Sequence, residues 1–97
     1  MIPCPKIQPV RSRHYLAWIR TKPCAYCGRR YGIQAAHQGL GEGIMGGKVS
    51  DLRCVPLCHD CHRAEHAQGH DTFWQGYDLA TKIVRYHDAF FGAGNRL

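Results

Sequence analysis

Ninety-seven residues, 44% hydrophobic and 10% aromatic, are enough for one globular domain but not two, and the composition is not that of a disordered chain. The net charge is +6 and unevenly carried: residues 1–41 hold Lys6, Arg11, Arg13, Arg20, Lys22, Arg29 and Arg30 and no acidic side chain. The first residues lack the apolar core of a secretory signal, and no run approaches the ~20 apolar residues that span a bilayer. The reading is a cytoplasmic protein with no membrane partner, whose basic half suits a polyanion.

Residues 1–11 read as a basic extended arm punctuated by Pro3, Pro5 and Pro9, and residues 12–97 as the single domain. Ser12 can cap a short helix with Tyr15, Leu16, Trp18 and Ile19 on its apolar face, ending before Pro23. Cys24 to Gly28 form a knuckle-like turn. Tyr31–His37 reads as a strand and Arg53–Leu57 as its partner, joined by a glycine-rich loop from Gln38 to Asp51. His59–Gln68 reads as a helix stopped by Gly69. Asp71 and Asp78 are candidate N-caps, and Leu79, Ile83, Tyr86 and Phe90 mark a last helix with an apolar stripe. The fold class is α+β, with helices before and after a hairpin-and-helix centre.

A domain this short buries a modest core, so a staple is expected. Cys24-x-x-Cys27 and Cys58-x-x-Cys61 supply one: two chelating loops about thirty residues apart offer four thiolates for tetrahedral zinc, a closed structural site. In a reducing compartment such pairs favour Zn²⁺ over disulfides. Cys54 reads as a buried apolar residue, and Cys4 has no evident role.

The last of these cysteines opens a second pattern. His62 and His66 are four apart on one face of the expected helix, which suits two nitrogen ligands to one cation. Two surface histidines, or one histidine completing the zinc site, would give the same spacing. His37 ends the first strand, and an imidazole has the ordinary pKa of a general base near neutrality. His59 is a reserve ligand and Asp51 an additional candidate. Lys6, Arg11, Arg13, Arg29, Arg30, Lys48, Arg53 and Arg63 are the candidate nucleic-acid contacts.

The stretch Ala35-Ala36-His37, Gly46-Gly47-Lys48-x-Ser50-Asp51-Leu52, Val55-Pro56-Leu57-Cys58 and Cys61-His62-x-x-Glu65-His66-x-x-Gly69 resembles the HNH, or ββα-metal, nuclease superfamily. It is similar to small phage-encoded members, including RecA-dependent and Holliday-junction nucleases. The resemblance spans about residues 23–91. It implies a zinc-stapled ββα-metal fold and a phosphodiester hydrolase acting on duplex, nicked or branched DNA in phage DNA metabolism and recombination, with a recombination protein as a partner. It implies His37 as the base, His62 and His66 as ligands of a catalytic Mg²⁺ or Mn²⁺, and products with 5′-phosphate and 3′-hydroxyl ends. Two positions depart from the pattern. Ala36 stands where many members carry a ligating Asp or His, and the asparagine that names the motif is missing. The alternative expectation is a non-catalytic, zinc-stabilised DNA-binding module, and RNA stays open beside DNA. Oligomeric state and the exact DNA structure leave no trace in these residues.

Overall fold

The computed structural model describes residues 10–38 and 49–97. Most of the arm (residues 1–9, with Cys4 and Lys6) and of the glycine-rich loop (residues 39–48, with Lys48) lies outside the described residues.

Helix α1 runs Arg13–Ile19, and the Ser12 hydroxyl accepts from the Tyr15 amide as its N-cap. The knuckle follows, closed by Cys24 N–H to the Arg29 carbonyl at 2.8 Å and Gly28 N–H to the Cys24 carbonyl at 2.9 Å. Gly28 takes φ +81° there, a conformation that a side chain would resist. Strand β1 is Ile33–His37 and strand β2 is Cys54–Cys58. They pair antiparallel from Ile33↔Cys58 to His37↔Cys54.

Helix α2 runs His59–Gln68, stopped by Gly69 as expected. A four-residue helix α3, His70–Phe73, turns the chain before α4, Leu79–Gly92. Asp78 caps α4, accepting from the Thr81 amide at 3.1 Å. Asp71 is not a cap: Gly69 holds the cap position of α3, and the Asp71 carboxylate lies 3.2 Å from His70 Nδ1. Both strands start later than their composition suggests. Tyr31 and Gly32 form a bend, with Gly32 at φ +65°, and Asp51–Arg53 close a 3₁₀ turn before β2.

The sheet separates two apolar clusters because side chains alternate along each strand. Ala36, Val55 and Leu57 pack with Phe73, Trp74, Leu79 and Ile83, and Ala64 of α2 joins them. Ala35 packs instead toward Tyr15, Ile19 and Phe90, which tie α1 to α4. The rings of Tyr15 and Phe90 meet edge to face at 4.8 Å, the favourable arrangement for aromatic quadrupoles. Among the described residues no helix is long and apolar enough to cross a membrane.

Candidate metal centre and active site

Register places the staple. Cys58 stands opposite Ile33 and immediately precedes α2, while the Cys24–Cys27 knuckle reaches the same end of the hairpin through Ala25 N–H to the Pro56 carbonyl at 2.7 Å. The four sulfurs of Cys24, Cys27, Cys58 and Cys61 lie within 4.8 Å of one another. Cys27 Sγ and Cys58 Sγ are 3.7 Å apart. Thiolates about 2.3 Å from one tetrahedral zinc would be roughly 3.8 Å apart, so the spacing fits such a metal.

Backbone amides aim at the sulfurs: Tyr26 N–H and Cys27 N–H point to Cys24 Sγ at 3.4 and 3.5 Å, and Cys61 N–H to Cys58 Sγ at 3.4 Å. Burial opposes ionisation of Cys24, but these amide donors outweigh it and bring the thiol down to about 7. Burial and the neighbouring sulfurs push Cys61 upward. Four sulfurs this close resist becoming four thiolates without a cation between them. Cys54 is fully buried on β2, as expected, and burial raises its thiol to about 12.

The second cluster sits on α2. His62, Glu65 and His66 each bring a ligand atom within 4.8 Å of the others, the i, i+3, i+4 spacing of one helix face. His62 Nε2 and His66 Nε2 are 3.2 Å apart, close to the ~3 Å between two nitrogens bound near 2.1 Å to one ion at a right angle. His62 Nδ1 lies 2.6 Å from Gln34 Oε1 on β1, so the ring donates there and its Nε2 carries the lone pair, turned toward His66 Nε2. Burial and then the adjacent His66 hold His62 below the usual histidine range, which favours the neutral, ligating form. An open cavity of about 430 Å³ lies over this face, walled by Gln34, His59, His62, Arg63, His66 and Ala67. His59 therefore borders the site without joining the three-residue cluster.

His37 stands at the opposite end of the hairpin from the staple, facing Cys54. It belongs to a different constellation. Its Nε2 lies 2.8 Å from Asp51 Oδ1. Asp51 is buried, and it also accepts from Arg11 at 3.0 Å and from the Ser12 amide at 2.8 Å. Burial alone would raise its carboxyl, but the bonds from His37, Ser12 and Arg11 hold it below the ordinary carboxylate value. Both Asp51 oxygens are thus engaged, Oδ1 by His37 and Arg11 and Oδ2 by the Ser12 amide.

Ala36 is fully buried in the cluster that lines the α2 side of the sheet, so a methyl fills the strand position from which a ligand would reach α2. Of the basic residues, Arg63 borders the cavity, whereas Arg29 is committed to Asp60 at 2.7 Å and lies over the Tyr31 ring. Arg11 is committed to Asp51 and the Val49 carbonyl. Arg13 and Arg30 are exposed, and Arg53 is half-buried. Sequence reasoning missed Gln34, and it named Glu65 only within a motif. The alternation of β1, read with the register, is the signal that would have placed Gln34 under α2.

The family described as "Protein of unknown function (DUF968)" matches residues 1–89, and the chain belongs to that family. Among curated proteins it is similar to the uncharacterized protein YdfU of Escherichia coli (strain K12), 37% identical over 62 residues. That alignment covers 64% of this chain and 18% of the relative, so the chain spans under a fifth of that protein's length. No solved structure matches.

Proposed function

We propose that this member of the DUF968 family is an HNH-type, metal-dependent endonuclease that hydrolyses phosphodiester bonds in DNA. The observation that carries the reading is a division of labour around one hairpin and helix. An imidazole with a buried carboxylate partner ends β1, and a pair of imidazoles with Nε2 atoms 3.2 Å apart faces an open cavity on α2.

Water attack on a phosphodiester needs a base. The bond to Asp51 fixes the proton of neutral His37 on Nε2, which leaves Nδ1 as the atom that accepts a proton from water. Asp51 then stabilises the imidazolium that forms, as a carboxylate does for histidine in other hydrolases. His62 and His66 would hold Mg²⁺ or Mn²⁺, which supplies charge stabilisation to the phosphate and the leaving oxygen. Gln34 orients His62 for that task, and Arg63 at the cavity wall offers a guanidinium to a phosphate oxygen. The four-cysteine site is the staple, and zinc is the metal that its four thiolates suit best.

Ala36 favours a second reading, a zinc-stabilised DNA-binding module, because β1 brings no ligand to α2. Cleavage of supercoiled plasmid by zinc-loaded protein with Mg²⁺ or Mn²⁺ separates the two. The nuclease reading expects His37→Ala to lose at least about 10²-fold in rate while zinc and DNA binding persist. His62→Ala should instead weaken cation binding and recover partly at high Mn²⁺. A wild-type protein that cuts neither plasmid, nicked nor branched DNA with either cation would decide for the binding module.

A further inference from the structure

We propose that Glu65 is the third protein ligand of the α2 cation, filling the role that Ala36 leaves open. The inference rests on the preceding reading only in taking His62 and His66 as a cation site.

Glu65 is a buried carboxylate on a helix face otherwise occupied by two imidazoles, and one of its oxygens lies within 4.8 Å of their ligating nitrogens. It appears in none of the ion pairs among the described residues. A carboxylate and two imidazoles converging on one helix face form a mixed oxygen and nitrogen ligand set for a cation. The hydrogen-bond partner of Glu65 is neutral: Trp74 Nε1 donates to Glu65 Oε2 at 2.6 Å. The same N–H lies 3.1 Å from Gln38 Oε1, and the Gln38 amide donates to the Ala36 carbonyl at 3.1 Å. This buried chain anchors the carboxylate through Oε2, and among the described residues Oε1 accepts no hydrogen bond.

β1 therefore contributes no ligand, but it and the residue after it position the helix's own set, Gln34 at His62 and Gln38 through Trp74 at Glu65. Two imidazoles and one carboxylate from a single helix turn leave the other coordination positions open toward the cavity. That mixed nitrogen and oxygen set suits Mn²⁺ better than Mg²⁺, which prefers oxygen donors.

The test uses zinc-loaded protein and Mn²⁺ alone, with free Mn²⁺ followed by its solution electron paramagnetic resonance signal. Wild type should bind about one Mn²⁺, and His62→Ala should bind it far more weakly, approaching occupancy only at high Mn²⁺. Glu65→Gln, close in shape but neutral, should bind at least ~10-fold more weakly with zinc content and melting preserved. Folded Glu65→Gln with wild-type Mn²⁺ affinity would overturn the assignment while leaving the histidine site and the nuclease reading standing. No Mn²⁺ binding by wild type would remove the site itself. Should Glu65→Gln fail to fold, Glu42→Gln leaves Glu65 as the sole glutamate of the chain. Infrared difference spectra of that protein with ¹³C-labelled glutamate should then show its carboxylate stretch moving on Mn²⁺ addition. An unmoved band in protein that has bound Mn²⁺ would likewise refute the ligand role.

Discussion

Removing Asp51 tests whether His37 acts as a positioned base, because one carboxylate holds the histidine, the start of α1 and Arg11 together. Asp51→Ala leaves the buried Ser12 amide without its acceptor, a penalty of about 1–3 kcal/mol. The Arg11 side chain is 46% exposed, so water replaces most of what that bond contributed. The carboxyl is held below its ordinary value of 3.8, so it is charged and its whole contribution is present at neutral pH. We expect a loss of about 2–3 kcal/mol in chemical denaturation of the zinc-loaded protein, and less for Asp51→Asn, which keeps one acceptor oxygen. The rate effect has a ceiling. Asp51 acts only through His37, so its removal cannot exceed the ~10²–10⁴-fold loss expected for the base itself. Single-turnover cleavage, below the melting range of every variant, should slow ~10-fold to 100-fold in Asp51→Ala, within the ceiling set for the base. In a His37→Ala background the same substitution should change the rate little, because two residues acting as a unit are not additive. Fully additive losses would refute the dyad.

Three further outcomes follow from other parts of the molecule. Cys58→Ser should lose the bound metal and the folded core together, read as metal content and far-ultraviolet dichroism, since metal binding and folding are linked. Phe90→Ala should destabilise by about 3–5 kcal/mol in urea, because its buried ring meets Tyr15, Trp18 and His14 and ties α1 to α4. Arg63→Ala should lower the salt dependence of DNA affinity by about one phosphate contact without changing stability, whereas Arg11→Ala should alter stability as well, its guanidinium being bound to Asp51 and the Val49 carbonyl.

The features legible in the sequence are those in which a local spacing carries the physics. Two Cys-x-x-Cys pairs bring their sulfurs together wherever the hairpin closes, and Ser12 and Asp78 cap helices through amides three residues away. His62 and His66 share a face because the helix repeats that way. The partners of these residues were not legible, because they come from register and packing. Asp51 meets His37 across fourteen residues of chain, and Gln34 meets His62 across twenty-eight. Trp74 reaches Glu65 only because the four residues of α3 reverse the chain, a turn too short to leave a periodic signal. The boundary shifts share that origin. Gly32 bends the chain ahead of β1, and Ser50 caps a 3₁₀ turn ahead of β2, moving each start by one or two residues. Ala36 ties the legible to the illegible: as a letter it reads as a lost ligand, but its burial against the α2 side explains the alanine as packing. Under the proposed reading, ligation then falls to the helix, and Gln34 of β1 and Gln38 just beyond its end serve it by orientation alone.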